Sequence, residues 1–165
     1  MDISPVLVVP DHARDWAANT LPNGPVLSLY VDAPVPERQW PEEDFAEVAR
    51  FAAGKLGATV AVLAGGGGNL RPFSEIHDRV IALSNVSIPQ LAAVIARSKL
   101  LISNDTGPMH LGPALGIPTL GLFSVGYPEH YRPLGERSRF LRAENIDDIG
   151  VGDVIEQIGH TWNAG

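Results

Sequence analysis

The sequence predicts a Rossmann-like α/β domain, in which a parallel sheet lies between two layers of helices. Short apolar runs alternate with stretches of helical periodicity from residue 26 onward, and glycine or proline separates most of them. The chain has 165 residues, 45% hydrophobic and 19% charged, which is typical of one globular domain. Strands that alternate with helices favour a parallel sheet with right-handed crossovers.

The first part of the chain divides into a linker and the start of the domain. Residues 1–25 contain a strand-like fragment at residues 6–9, a short polar helix and a proline-rich loop, so we interpret them as an interdomain linker. The domain then occupies residues 26–165. Its first predicted strand is VLSLYV, residues 26–31, because this is a short apolar run next to a Pro-rich loop.

A helix is predicted after Pro41, a residue suited to the first helical turn because it lacks the N–H group that would be unpaired there. Apolar residues follow at helical spacing from Phe45 to Leu56, and Gly57 is the expected helix stop. The segment ATVAVLA then forms a β-branched strand that ends in four glycines. Trp40, just before this helix, is interpreted as a packing anchor and not as a platform for a nucleobase.

The middle of the chain contains two further helix predictions. The spacing of Phe73, Ile76 and Val80 predicts a helix over residues 72–82. Ser87 and Gln90 have the spacing of a capping box, in which each side chain bonds the backbone N–H of the other, so a third helix begins there.

The last part of the chain repeats the same alternation. KLLIS at residues 99–103 is a predicted strand, NDTGPMH leads into a helix, and Gly116 ends that helix before the strand at residues 117–123. RFLRA is the last predicted strand and residues 151–160 the last predicted helix. The sheet is therefore expected to hold five or six parallel strands.

Composition excludes several classes of function. The chain has 12 Lys+Arg against 19 Asp+Glu and a net charge of −7, which opposes binding to a nucleic-acid backbone. It has no cysteine, so disulfides, zinc thiolate sites and thiol nucleophiles are excluded. The first residues do not have the pattern of a signal peptide, and no apolar stretch approaches the ~20 residues of a membrane helix. We expect no metal ion and no cofactor.

The segment SNDTGPMH, residues 103–110, combines a strand end with a helix start, where free N–H groups favour an anion such as a diphosphate. Gly107 allows close approach of the backbone, the Thr106 hydroxyl can donate to a phosphate oxygen, and His110 lies one turn into the helix. Asp105 can accept hydrogen bonds from sugar hydroxyls. An alternative explanation is that Asp105 or Thr106 only caps the helix and that His110 lies on the surface.

The longer string SNDTGPMHLGPALGIPTLGLF, residues 103–123, resembles the signature S-N-D-[ST]-G-P-M-H-[LI]-A-A-A-L-G-x-P-T-[VL]-x-L-F-G of glycosyltransferase family nine, the heptosyltransferases. RQWPEEDF, VAVLAGGGG and SIPQLAAVIARSKLLISND are similar to other segments of that family and occur in the same order. The resemblance covers roughly residue 25 to the end of the chain.

The resemblance implies a set of site residues. The expected donor-binding residues are Arg38, Asp105, Thr106, Gly107, Pro108, Met109 and His110, and the further candidates are Gly66, Asn69, Ser87 and Tyr131. Three departures from the family pattern are visible. YVDA at residues 30–33 replaces H-P-G-[AS], Arg38 replaces a lysine, and the glycine loop lacks a following acidic residue, for which Asn69 is the expected substitute.

The resemblance implies that the chain is a donor-binding domain. In an inverting glycosyltransferase of the GT-B fold, this domain is the C-terminal half of the enzyme. The expected ligand is a nucleotide-diphosphate sugar such as ADP-heptose, used in lipopolysaccharide core or related glycan synthesis in bacteria. The acceptor-binding N-terminal domain would carry the catalytic base, so no catalytic residue is assigned in this chain. The expected location is the cytoplasm, including the cytoplasmic face of the inner membrane. The alternative is a non-catalytic nucleotide-binding or protein-interaction module of the same fold.

Overall fold

A computed structural model describes residues 8–65, 70–124 and 138–162, and these residues form a parallel sheet with helices on both faces. The six strands, in chain order, are β1 (Val26–Tyr30), β2 (Thr59–Leu63), β3 (Val80–Leu83), β4 (Leu100–Asn104), β5 (Thr119–Phe123) and β6 (Arg139–Arg142). Their order across the sheet is β3-β2-β1-β4-β5-β6, and every neighbouring pair is parallel. This is the strand order of the Rossmann fold, so the predicted fold class is confirmed.

Helices cover both faces of the sheet. The described α-helices are α1 (Asp11–Thr20), α2 (Glu42–Lys55), α3 (Ile88–Ala96), α4 (Leu111–Ala114) and α5 (Val151–Trp162). Buried residues of α2 and α5 pack in one core cluster, whereas those of α1 and α3 pack in the other. The two clusters share strands but take alternate residues of them, as the two-residue period of a strand requires.

Strand β1 shows this alternation. Leu27 and Leu29 belong to the cluster under α2 and α5, and Val26 and Tyr30 belong to the cluster under α1 and α3. All five residues of the strand are buried. A central strand covered on both faces is therefore a continuous apolar run with one exception, Ser28, and this explains why the sequence signal for β1 is a run and not an alternation.

The helix predicted over residues 72–82 is wrong. A short 3-10 helix, Arg71–Phe73, is followed by Glu75 with φ of 60°, a left-handed conformation that ends helical geometry. The chain then forms β3, in which Val80 pairs with Val60 of β2. The β-branched pair Val80 and Ile81 favours an extended strand, and three apolar residues at helical spacing were too few to predict a helix.

The predicted short polar helix near the N-terminus is present as α1. Ala13 and Ala17 are fully buried in the cluster that also holds residues of α3. Arg97, at the end of α3, donates from Nη1 to the Ala17 carbonyl at 3.0 Å and to the Leu21 carbonyl at 3.4 Å, so its guanidinium holds the C-terminus of α1 against α3. The strand-like fragment at residues 6–9 falls mostly outside the described residues, and a linker role for residues 1–25 stays a prediction.

The predicted ends of three helices agree with the structure. Ser87 and Gln90 form the capping box, with N···O distances of 2.9 and 3.2 Å. Gly57 follows α2 with φ of 64°, and Gly116 follows α4 with φ of 75°. Both glycines adopt a left-handed conformation, which terminates the helix. Glycine adopts it at little cost because it has no side chain.

Candidate functional site

A cleft of about 560 Å³ opens at the carboxyl ends of β1, β2 and β4. Its position is the point where the chain order in the sheet reverses, between β1 and β4, which is where open α/β sheets bind ligands. Its volume is in the usual range for small-molecule sites. The residues that line the cleft are Tyr30, Asp32, Ala33, Pro34, Arg38, Gly65, Asp105, Thr106, Gly107 and His110.

Asn104, the last residue of β4, holds two walls of the cleft together. It is fully buried, and its Nδ2 donates to the backbone carbonyls of Val31 and Asp32 at 3.1 and 3.2 Å. Its Oδ1 accepts from the backbone N–H of Trp40 at 3.1 Å. One amide side chain thus joins the end of β1 to the segment that carries Arg38, two residues before Trp40.

Trp40 anchors that segment in the core. It is fully buried, its ring lies edge to face with Phe45 at a centroid distance of 4.8 Å, and Nε1 donates to the Ile149 carbonyl at 2.9 Å. A buried indole needs such a hydrogen-bond partner. The structure thus agrees with the interpretation of Trp40 as a packing anchor, because its ring does not line the cleft.

The central charged pair of the cleft is Arg38 and Asp105. Arg38 Nε lies 3.7 Å from Asp105 Oδ2, a separation that makes an ion pair but is too long for a hydrogen bond. The Asp105 side chain is 6% exposed, and among the described residues Oδ2 has no hydrogen-bond partner. Burial raises the pKa of Asp105, while the charges of Arg38 and His110 oppose that rise. A buried carboxylate oxygen without a donor is costly, so a ligand hydroxyl would stabilise it.

On the other side of the cleft, three groups meet at the ends of β1 and β2. Asp32 Oδ2 accepts from the Gly65 backbone N–H at 2.8 Å. Burial raises the pKa of the Tyr30 phenol, the negative charge of Asp32 raises it further, and a hydrogen bond with the Gly65 backbone lowers it. Tyr30 therefore keeps its proton at neutral pH and remains a hydrogen-bond donor.

The helix expected to start at Gly107 is not continuous. Residues Gly107–His110 form a 3-10 helix, and a single α-helical turn, Leu111–Ala114, follows. Gly116, with φ of 75°, ends the helical geometry soon afterwards, so the segment remains short. A short segment aligns few peptide dipoles, and the favourable charge at its start is smaller than a long helix would supply. The Thr106 side chain makes no capping hydrogen bond, so capping does not explain this residue.

The structure brings five of the predicted site residues into one cleft. These are Arg38, Asp105, Thr106, Gly107 and His110. Met109 is fully buried and Pro108 half-buried, and neither lines the cleft. Ser87 is exposed and uses its hydroxyl in the capping box. Gly66, Asn69 and Tyr131 lie outside the described residues.

Sequence reasoning did not assign site roles to Tyr30, Asp32 and Gly65, although all three line the cleft. The order of the strands contained a signal that could have identified Asp32. The sheet pairs Tyr30 with Ser103, so Asp32 and Asp105 each follow the last matched pair of β1 and β4 by two residues. Because parallel strands end at the same edge, polar residues after one strand are neighbours of those after the next.

A second, smaller concavity of about 370 Å³ lies on the other side of the 3-10 helix Pro36–Arg38. Its described lining contains no lysine or arginine and consists of Pro36, Glu37, Ser124, Glu144, Asn145, Ile146, Asp147 and Asp148. In the described ranges, no group of three or more His, Cys, Asp or Glu residues is placed to hold a metal ion. Over the same ranges, none of the helices has both the length and the apolar character that a bilayer crossing requires.

Comparison with known proteins agrees with this geometry. The family model described as glycosyltransferase family 9 (heptosyltransferase) matches residues 2–149. Lipopolysaccharide heptosyltransferase 2 of Escherichia coli K12 is 24% identical over 134 residues, which is 73% of this chain and 37% of that protein. The enzyme of the same name from Salmonella typhimurium is 28% identical over 119 residues, or 65% and 33%. The aligned residues thus span about a third of the length of these relatives.

Solved structures of similar proteins show the same fold. The family 9 glycosyltransferase from Veillonella parvula superposes with a TM-score of 0.86 at 23% identity, covering 100% of this chain and 55% of that one. E. coli ADP-heptose heptosyltransferase II gives 0.80 at 21% identity, with 95% and 53% covered. E. coli heptosyltransferase WaaC with ADP gives 0.75 at 22%, with 90% and 48% covered. The resemblance predicted from the sequence is confirmed.

Proposed function

The chain belongs to glycosyltransferase family 9, the heptosyltransferases, and on that premise we propose that it is the donor-binding part of an inverting glycosyltransferase. The proposed donor is ADP-heptose or a closely related nucleotide-diphosphate sugar, used in lipopolysaccharide core or related glycan synthesis. One similar structure holds ADP and another ADP-2-deoxy-2-fluoro heptose, and these two ligands motivate the choice of nucleotide and sugar. The proposed location is the cytoplasm or the cytoplasmic face of the inner membrane.

The observation that carries the proposal is the ion pair between Arg38 and Asp105 in the cleft. The buried Oδ2 of Asp105 lies near the Arg38 charge but accepts no hydrogen bond among the described residues. The Arg38 side chain is 40% exposed, so its guanidinium can turn part of its fork of donors toward a diphosphate. Gly107 has open space around its Cα, which allows a phosphate to approach the backbone closely. Asp105 Oδ2 then accepts a hydrogen bond from a hydroxyl of the transferred sugar.

These residues favour the departure of the diphosphate. In an inverting transfer, a base removes the proton of the acceptor hydroxyl, the acceptor oxygen bonds to the anomeric carbon, and the bond from that carbon to the diphosphate oxygen breaks. Negative charge then accumulates on the leaving diphosphate. Arg38, the Thr106 hydroxyl and, when protonated, His110 would stabilise that charge more strongly in the transition state than in the bound donor.

The base and the acceptor surface are assigned to a separate N-terminal domain outside this chain. The described cleft residues are instead assigned to the donor: Arg38 to the diphosphate and Asp105 to the transferred sugar. We therefore expect the 165-residue chain to bind the donor but to transfer negligible sugar to any lipid-linked acceptor. Robust turnover by the purified chain would contradict this assignment.

Thermal unfolding with a panel of ADP, UDP, GDP and CMP sugars tests the proposal. A ligand present at 100 times its Kd stabilises the folded chain by about 2.7 kcal/mol, which raises the Tm of a domain of this size by roughly 5–10 °C. We expect the ADP sugar to give the largest shift. If no nucleotide sugar raises the Tm, and calorimetry detects no heat of binding, the chain is not a donor-binding domain.

A further inference from the structure

The two carboxylates of the cleft have different surroundings. Asp105 lies beside Arg38, and the charges of Arg38 and His110 both act on it. Among the residues that the structure describes, Asp32 has no cationic partner; its carboxylate accepts from the Gly65 amide, and its charge raises the pKa of the Tyr30 phenol. The cleft therefore has one end where the cation Arg38 pairs with a carboxylate, and one end where a carboxylate has no cation beside it among the described residues.

Asp32 is fixed in place by two other strands. Its backbone carbonyl accepts from Asn104 Nδ2, which belongs to the end of β4, at 3.2 Å. Its carboxylate accepts from the Gly65 N–H, just beyond the end of β2, at 2.8 Å. A carboxylate has about four lone-pair sites, and the Gly65 amide occupies one of them. The side chain is half-buried and lines the cleft, so it remains able to accept further hydrogen bonds from a ligand.

This polarity determines which part of a ligand fits each end. A diphosphate is attracted to Arg38 and repelled by Asp32, because unit charges a few ångströms apart interact strongly in a partly desolvated site. Hydroxyl groups, in contrast, are favoured partners for a carboxylate that has no cation beside it. A nucleotide-diphosphate sugar carries a hydroxyl-bearing ring on each side of its diphosphate, namely the ribose and the transferred sugar.

Asp32 and Asp105 are placed to take one ring each. They lie at equivalent positions beyond the adjacent strands β1 and β4, whose axes are about 4.8 Å apart. Asp32 is on the side of β2, since its carboxylate bonds Gly65. In sheets with this strand order the nucleoside ribose lies toward the carboxyl end of β2, and an acidic side chain there accepts its hydroxyls.

Resting on the proposed function, we infer that Asp32 is a specificity-determining residue that binds the ribose hydroxyl pair of the donor and fixes the direction in which the donor lies. The diphosphate then contacts Arg38 and Gly107, and the transferred sugar lies at Asp105. The sequence replaces a small residue of the family pattern with aspartate at this position, so the contact is a property of this chain.

Calorimetric titration with ADP and with 2′,3′-dideoxy-ADP tests the inference on the full chain and on Asp32→Asn. Asparagine retains an oxygen for the Gly65 N–H and nearly the same volume, so the fold should be unchanged. We expect the unmodified chain to bind ADP about tenfold more tightly than dideoxy-ADP, as loss of hydrogen bonds to a charged group predicts. In Asp32→Asn this ratio should fall to roughly one or two, with dideoxy-ADP bound as tightly as before or more tightly.

The ratio separates recognition from a structural role. A variant that merely loosens the cleft weakens both nucleotides equally and preserves the tenfold ratio, and that outcome would overturn the inference. Asp15→Asn, which makes the same charge change at an exposed position of α1, should preserve the ratio and serves as the matched control. Asp32→Asn could instead change the ratio of the affinities for an ADP sugar and for ADP, while the ratio for ADP and dideoxy-ADP stays at tenfold. In that case Asp32 binds the transferred sugar and the inferred direction is wrong.

Failure of the proposed function gives a different result. If the unmodified chain binds neither ADP nor dideoxy-ADP, the donor-binding proposal is refuted and the inference with it. If it binds both nucleotides with equal affinity, the proposal survives, whereas the role of Asp32 in ribose recognition is refuted.

Discussion

The two clefts on either side of the 3-10 helix Pro36–Arg38 differ in charge more than in position. The larger cleft contains Arg38 and His110 together with two carboxylates, whereas the described lining of the smaller one has four acidic side chains and no lysine or arginine. Glu37 and Arg38 are consecutive but line different clefts, because a 3-10 helix turns about 120° at each residue. On the proposed function, this difference predicts that a diphosphate binds in the cleft lined by Arg38 and not in the acidic one.

The largest expected effect is a loss of stability when Trp40, which lies between the two clefts, is replaced. The Trp40 backbone N–H donates to Asn104 next to the larger cleft, and its indole N–H donates to the Ile149 carbonyl next to the smaller one. Trp40→Ala should lower the free energy of unfolding by about 3–5 kcal/mol, since it leaves a large cavity in the core. Urea unfolding followed by circular dichroism measures this loss. Trp16→Ala, at a half-buried site on α1, should cost clearly less, and equal losses at the two sites would contradict the anchoring role.

The next largest effect is on the affinity for ADP, and it distinguishes the two clefts directly. Arg38→Ala should weaken ADP binding by about tenfold or more, because one charge-assisted hydrogen bond to a phosphate contributes roughly 1.5–3 kcal/mol. Glu37→Ala removes a charge from the neighbouring residue but faces the smaller cleft, so the affinity for ADP should stay the same or rise slightly. Calorimetry on both variants checks this contrast, and a similar loss in both would show that the clefts are not functionally distinct.

A smaller and more selective effect is expected at Asp105. If its carboxylate holds hydroxyls of the transferred sugar, Asp105→Ala should weaken the nucleotide sugar several-fold and leave ADP almost unchanged. The measurement compares the two ligands by calorimetry on the variant and the unmodified chain. Equal losses for both ligands would instead indicate that Asp105 acts structurally, through its pairing with Arg38.

The smallest effect concerns pH. Because burial raises the pKa of Asp105 above that of an unfolded aspartate, about 3.9, the folded chain holds this proton more tightly than the unfolded chain does. The resulting contribution to stability is complete below that unfolded pKa and is lost as the pH rises through the folded pKa. Asp105→Asn should therefore gain stability relative to the unmodified chain between pH 4 and pH 7. Urea unfolding of both proteins across this range checks the trend, and a difference that does not vary with pH would contradict it.

Most of the fold was predictable because its signals are local. Buried strands such as β1 and β4 are apolar runs, and the capping box at Ser87 and the glycines after α2 and α4 mark helix ends by their own chemistry. The stretch before β3 was not predictable in this way. The pairing of Val80 with Val60, twenty residues earlier, determines that the segment is a strand, and three apolar residues at helical spacing are too few to predict a helix.

The residues of the candidate site that one segment carries were predicted, as was Arg38 from the loop before α2. Asp105, Thr106, Gly107 and His110 lie in one motif, and all four line the cleft. Tyr30, Asp32 and Gly65 come from two other strand ends, and their role depends on the strand order and on the hydrogen bond between Asp32 and Gly65. The change from 3-10 to α-helical geometry after Gly107 was likewise not predicted from the motif.

The most direct test of the account is to locate the bound nucleotide on the chain. An ADP titration of the ¹⁵N-labelled protein, followed by amide chemical shifts, reports on both clefts in one experiment. We predict saturable shifts at Gly65, Thr106 and Gly107, with the amides of Asn145 and Asp148 in the smaller cleft unchanged. Shifts concentrated at Asn145 and Asp148, or no saturable shift in either cleft, would contradict the assignment of the Arg38–Asp105 cleft as the donor site.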